Sequence, residues 1–389
     1  MHKTSPADLS PLPEAEAPRD CPLCPRLVDL RMELRGEHPD WYNAPVPAFG
    51  DREAGVAIIG LAPGKHGANR TGRPFTGDYA GDLLFDVLMR TGLSVGDYDS
   101  RIDDGVELKG AIILNAVKCL PPENKPTGAE IQHCRPFLEE MLTRLPKVHT
   151  LFALGKIAHD ASCRALGMTL NQHKFGHGNV HHAPGGLRLV DSYHCSRYNQ
   201  NTGRLSDEMF LMAMRKAVSP GLKGDAAHEL RTERLVLRRA RKEDAEALHE
   251  LFTDEETMES WSTTVHDTMF ETEEWLRAMI EAAGPHSDDF IVEKDGELIG
   301  KCGLWDVPEI GMMIRRDHWG QGYATEALAA YRDYIRGRGL PYMFADVDPE
   351  NIGSLRALEK VGFTRSGFKE KAMKHGDRWV DSVYLRIDL

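Results

Sequence analysis

The sequence predicts an α/β protein of two domains, the first a three-layer αβα sandwich on a parallel sheet. Three observations predict it. Short apolar, β-branched runs at 55–61, 110–117, 149–154 and 187–194 alternate with helical patterns at 80–92, 128–144, 156–166 and 204–217. That alternation is the order of a parallel sheet covered on both faces. At 389 residues, 41% of them hydrophobic, the chain is long enough to bury two cores. The segment Ser219-Pro220-Gly221-Leu222-Lys223-Gly224-Asp225 has a linker's composition, and a new pattern begins beyond it. The expected division is 1–218, a linker at 219–228, and 229–389.

Three polar loops fall just past strand ends in the first domain, at 62–78, 118–127 and 194–204. An open α/β sheet gathers such loops around one crevice. The first, with its strand-end glycine, reads GLAPGKHGANRTGRPFTGD over residues 60–78. Gly60, Gly64, Gly67, Gly72 and Gly77 let backbone approach a ligand closely, and Arg70 and Arg73 can hold phosphate. Phe75 can stack on a flat ring and Asp78 offers a carboxylate. The stretch matches neither G-x-x-x-x-G-K-[ST] nor G-x-G-x-x-G, so it is not a nucleotide phosphate loop of either kind.

Charge is unevenly spread. Residues 1–222 carry 25 Lys+Arg against 26 Asp+Glu, and the remainder 23 against 34, which sum to the chain's 48 and 60. The acidity thus belongs to the second half. Lys65, Arg70 and Arg73 lie in 60–75 without an acid, and Arg164, Lys174 and Arg188 lie in the histidine-bearing, acid-free stretch 161–190. Local positive surface of this kind suits contact with a phosphate backbone.

Cys21 and Cys24 form C-x2-C, and Cys119 and Cys134 form C-x14-C about a hundred residues later. Four thiolates from two paired segments suit a tetrahedral zinc or an iron–sulfur cluster, and spacing alone does not choose. The polar start MHKTSPADLS and the lack of an apolar run of membrane length predict a cytoplasmic, membrane-free protein. In a reducing cytosol, metal ligation is the better reading of these thiols than disulfides.

With CPLCPRL at 21–27, GLAPGKHGANRTGRPFTGD at 60–78, NAVKCLPPENKPT at 115–127 and SYHCSRYNQNTGRL at 192–205, residues 15–218 resemble the uracil-DNA glycosylase superfamily, in its type 5 iron–sulfur branch. Two positions depart from that branch: Lys65 replaces a small residue and Tyr198 replaces Gln. The resemblance implies a [4Fe-4S] cluster on Cys21, Cys24, Cys119 and Cys134. It also implies hydrolysis of the N-glycosidic bond of uracil, and of other deaminated bases such as hypoxanthine and xanthine, in damaged DNA.

A glycosylase flips its base from the duplex and reads it by stacking and edge hydrogen bonds. Phe75 is then the stacking platform. Asn115, whose amide both donates and accepts, reads the base edge. Gly60, Ala62 and Gly64 line the base site. His194 donates to the leaving base as charge develops, and Asp78 orients water or offsets an oxocarbenium-like sugar. No acid lies between Gly60 and Gly64, which excludes water activation from that stretch. Lys65, Arg70, Arg73, Arg197 and Arg204 are the expected DNA contacts.

Beyond the linker a strand is expected at 234–239 and a helix from Lys242. A hairpin at 290–294 and 298–304 turns around Asp295-Gly296. EIGMMIRRDHWGQGYATEALAAYRDYI then reads as strand, glycine-bearing turn and long helix, a pyrophosphate site at a helix start. Residues 229–389 resemble the GCN5-related N-acetyltransferases, in the branch that acetylates protein N-termini and some antibiotics or polyamines, which implies an α+β domain with a mixed sheet. The acetyl-CoA loop matches at Trp319, Gly320, Gln321, Gly322, Tyr323 and Ala324, with Trp319 replacing the more general Gln or Arg. DPENIGSLRALEKVGF at 348–363 matches the second signature, so Asn351 contacts cofactor or substrate amide and Ser354 protonates the leaving thiolate. Glu309 is the candidate base for an amine acceptor that the sequence does not name. The expected whole is a monomeric, bifunctional enzyme. Its alternative is an acetyltransferase with a non-catalytic, DNA-binding iron–sulfur half.

Overall fold

The computed structural model describes residues 15–219, 221–261, 263–375 and 378–389. The polar opening stretch 1–10 and Pro220 of the expected linker lie outside them. The chain divides into two compact units, Met1–Val218 and Ser219–Leu389. Among the described residues, no helix is long and apolar enough to cross a membrane.

In the first unit, the strands Val56–Gly60, Ala111–Asn115, Thr150–Leu154 and Arg188–Ser192 form the parallel centre of a six-stranded sheet. The first three are buried along their whole length, as their unbroken apolar composition requires. The parallel expectation needs correcting at both edges: Phe49–Gly50 pairs antiparallel with Ala111–Asn115, and Val180–His182 with Arg188–Ser192. Helices Tyr79–Arg90 and Asp207–Val218 pack on one side of the sheet, Gly128–Thr143 and Lys156–Ala165 on the other. Thr127 starts the third of these with a reciprocal cap, its hydroxyl accepting from Glu130 N while Glu130 accepts from Thr127 N. Gly60 and Asn115 are cross-strand partners at the carboxyl edge, where the three loops emerge.

The second unit is an eight-stranded sheet, antiparallel except where Glu309–Ile314 meets Tyr342–Val347. Those two strands pair in register only at Glu309↔Phe344. The helix Tyr323–Gly337 buries Ala327, Leu328, Tyr331 and Ile335 against the main core. The described residues of the stretch 219–228, expected as a linker, belong to this unit. Leu222 is buried in its core, and the amides of Leu222 and Lys223 bond to Pro285 O and Arg338 O.

Candidate functional sites

In the first unit, the loop after Val56–Gly60 returns to the sheet edge and brings Phe75 beside His194 and Asn115, with Asp78 against Gly64 and Gly67 of the same loop, and these side chains mark the candidate base recess. Phe75 and His194 lie with ring centroids 6.0 Å apart and planes inclined by 29°. Phe75 holds a left-handed backbone, φ 53°. Its carbonyl accepts from Tyr98 Oη at 2.8 Å, which helps fix a conformation that costs a non-glycine residue about 1–3 kcal/mol. Gly60 supplies the space: a β-carbon there would stand 2.5 Å from Asn115 Oδ1 and 3.0 Å from the Phe75 ring.

Two buried oxygens in this recess have no hydrogen-bond partner, Asp78 Oδ1 and Asn115 Oδ1. An unmet buried acceptor costs about 1–3 kcal/mol, so a pair of them in one recess points to a ligand. Asp78 stands at the N-cap position of Tyr79–Arg90 without a full capping bond. Burial pushes its carboxyl above the usual range, and the Ala80 and Gly81 amides only partly offset that. The His194 side chain is half-buried. Burial takes its pKa down to about 4, so it is neutral near pH 7.

The expected DNA contacts divide. Lys65, Arg70, Arg197 and Arg204 are exposed. Arg197 lies over the Tyr79 ring at 4.5 Å and Arg204 over Tyr193 at 4.4 Å. Arg73 is a correction: its guanidinium is buried, binds Asp104 at 2.8 and 2.6 Å and donates to Thr76 Oγ1. That fork is spent inside the protein and is not offered to phosphate. Ala62, expected at the base site, packs against the cluster of Cys24, Leu27, Val117, Cys119 and Cys134. A separate cleft of about 320 Å³, walled by Ile131, Arg135 and Arg164, contains none of the expected site residues.

Cys21, Cys24, Cys119 and Cys134 are all buried and unbridged. Burial raises Cys24 to about 11 and Cys119 to about 12, and each of these thiols also feels Cys21 and Cys134. Four buried, unbridged thiols from two segments could serve as a metal donor set. Among the described residues, the group of three or more possible ligands whose donor atoms all lie within 4.8 Å is a different one, His159, His181 and Asp191.

The histidine group went unseen in the sequence, where no spacing links its members. Asp191 accepts from His159 Nδ1 at 2.7 Å and His181 Nε2 at 2.9 Å, and Gly176 N donates to it. His159 Nε2 reaches His173 O at 3.0 Å. Burial opposes a charge on His159, but Asp191 and Cys163 outweigh it and raise the pKa to about 10. This group could ligate a cation, yet a proton already satisfies it as an imidazolium–carboxylate pair.

In the second unit, Gly320 (φ 71°) and Gly322 (φ 83°) take left-handed conformations that favour glycine, just before the helix Tyr323–Gly337. Trp319 turns back to donate to Ile314 O at 2.6 Å, and Arg234 binds Gln321 O while covering the buried Tyr323 ring. The loop's free ligand groups are thus helix-start amides. Asn351 caps Ile352–Lys360 by accepting from Ser354 N at 2.9 Å, and Glu309 opens its strand opposite Phe344.

Residues 47–217 match the family model described as the uracil DNA glycosylase superfamily, and residues 234–364 match the acetyltransferase (GNAT) domain. A type-5 uracil-DNA glycosylase of Thermus thermophilus is 47% identical over 204 residues, 51% of this chain and 92% of that protein. The Pyrobaculum aerophilum type-5 enzyme is 42% identical, over 51% of this chain and 88% of its own length. An uncharacterized N-acetyltransferase, p20, of Bacillus licheniformis is 30% identical over 40% of this chain and 93% of its own.

Proposed function

Because the chain belongs to the uracil-DNA glycosylase superfamily through its first unit and to the GNAT acetyltransferases through its second, we propose a bifunctional enzyme. The first activity hydrolyses the N-glycosidic bond of uracil and other deaminated bases in damaged DNA. The second transfers acetyl from acetyl-CoA to an amine. One observation carries the first reading: Asp78 Oδ1 and Asn115 Oδ1 are buried and unmet, and Asn115 lies next to the Phe75 ring that faces His194.

The extruded base stacks on Phe75 and presents its edge to Asn115. As the bond from C1′ to the base breaks, electrons move onto the base, and a neutral His194 N–H stabilises the charge at its carbonyl oxygen. Asp78 faces the sugar, offsets its positive character and takes the proton of the water that adds at C1′. Lys65, Arg70, Arg197 and Arg204 track the backbone.

A [4Fe-4S] cluster on Cys21, Cys24, Cys119 and Cys134 is part of this reading. The buried, unbridged all-sulfur donor set supports it. When bound, the cluster ties the segments that carry these cysteines into one block. Seven unbridged cysteines support a reducing, cytoplasmic setting.

In the second unit, the amides at Gly320–Ala324 hold the pyrophosphate of acetyl-CoA. Asn351 contributes from the neighbouring helix start. Glu309 takes the proton of the attacking amine, and Ser354 protonates the departing thiolate.

The test is incubation of the full chain with duplexes bearing single uracil, hypoxanthine or xanthine, measuring released base. Release that Asn115→Ala and Asp78→Asn suppress supports the reading. Binding without release of any base would reduce the first unit to a DNA tether.

A further inference from the structure

Two buried cations border the four cysteines, and they differ. Lys118 is 2% exposed and has its counter-charge, Glu16, at 3.1 Å. Arg31 is 5% exposed and has none among the described residues. Its Nη2 donates to Cys21 O at 3.0 Å and its Nη1 lies 3.7 Å from Cys119 Sγ, while Nε has no hydrogen-bond partner. Asp20, whose titration feels Arg31 from a distance, is engaged with Arg35 at 2.6 Å.

A guanidinium stays charged at any physiological pH. Burying it unpaired costs several kcal/mol, so an anion must be close. Solvent cannot supply one. The void beside Arg31, Leu27, Leu34 and Cys119 is about 10 Å³, no more than one water needs. Neutral cysteine thiols, Cys119 Sγ at 3.7 Å from Nη1 among them, carry no charge to supply it either. As thiolates around a cluster they can.

We propose that Arg31 is the buried counter-charge of the metal centre, a positioning residue that helps retain the cluster and holds its reduction potential up. This rests on the iron–sulfur reading of the four cysteines. A nearby positive charge favours the reduced, more negative cluster over the oxidised one. The charge also makes folding and loading interdependent, because the same guanidinium that steadies the loaded protein is an unpaired buried ion in the stripped one.

The full chain, Arg31→Met and Arg31→Lys are compared, each loaded and iron-stripped. In the loaded form, Arg31→Met moves the reduction potential to more negative values and weakens iron retention against a chelator roughly 10–100-fold. Arg31→Lys keeps the charge and stays near the parent potential. In the stripped form, Arg31→Met raises the melting temperature, while in the loaded form it lowers it. An unchanged potential with the same direction of melting shift in both forms would make Arg31 a packing residue and overturn the proposal. A parent protein purified anaerobically without iron would instead remove the iron–sulfur reading, and this inference with it.

Discussion

The Asp78 carboxylate lies directly against Gly67: a β-carbon on Gly67 would come within 2.2 Å of Asp78 Oδ2. Gly64 crowds the same oxygen at 3.0 Å. The loop thus sets the carboxylate's position by leaving side chains out. Gly67→Ala should cost excision nearly as much as Asp78→Asn, each roughly two powers of ten, the scale of a positioned charge. Single-turnover base release measures both. Full activity in Asp78→Asn on every damaged base would end the assigned role.

Arg73→Ala should act on the fold and leave DNA affinity nearly alone. It leaves Asp104 with the amides of Asp99 and Val106 as its remaining donors, and breaking a buried pair costs up to about 3–5 kcal/mol. The denaturant midpoint reports the loss. A changed salt dependence of DNA binding with an unchanged midpoint would restore Arg73 to the DNA surface.

Arg197→Ala and Arg204→Ala should do the reverse. Both side chains are exposed, so stability moves little. Each should reduce the slope of log affinity against log salt by about 1, one phosphate contact fewer. Binding isotherms across a salt series decide it.

His159 makes stability depend on alkaline pH. Its folded pKa, about 10, is above the unfolded value of 6.5. Its contribution is therefore complete below pH 6.5 and is lost as pH rises from there through about 10. His194 has the opposite displacement, to about 4, so it erodes stability as pH falls from 6.5 toward 4. Chemical denaturation at pH 6 and 9 should show the parent weakening and His159→Gln, already weaker, declining less. Parallel declines would remove His159 as the source.

Gly322→Val should abolish acetyl-CoA binding and leave base excision intact. A β-branched residue is strained at φ 83° and its methyls crowd the amides of the turn. Calorimetry on the full chain reads the binding, and base release from the same sample reads the other activity. No heat from the parent would mean a GNAT fold without a working cofactor site.

Sequence alone located the central strands and most first-unit helices to within a few residues, because buried parallel strands are unbroken apolar runs. The short edge strands were not legible: Phe49–Gly50 has two residues, and Val180–His182 carries two histidines. The helix Pro25–Glu37 was missed because its inner face runs Leu27, Arg31, Leu34, with a cation where periodicity needs an apolar side chain. Arg73 misled for a related reason. A basic residue in a glycine-rich loop reads the same whether it faces solvent or a carboxylate 31 positions away. Leu222 turned a linker composition into a packed segment by a single apolar contact set. The recess itself was legible as loops at strand ends, but Gly67 and Tyr98 act only through close approach in space, which no spacing encodes.

Ala62 belongs to the loop that shapes the base recess, yet its methyl rests on the cysteine cluster. The loop that carries Phe75 and Asp78 is thus joined through Ala62 to the proposed cluster site. With the cluster in place as proposed, stripping its iron would unsettle that loop and, with it, the excision assigned to the first unit. Repair capacity would then track iron loading and not only the number of enzyme molecules, and chains that look intact on a gel would differ in the damage they can clear.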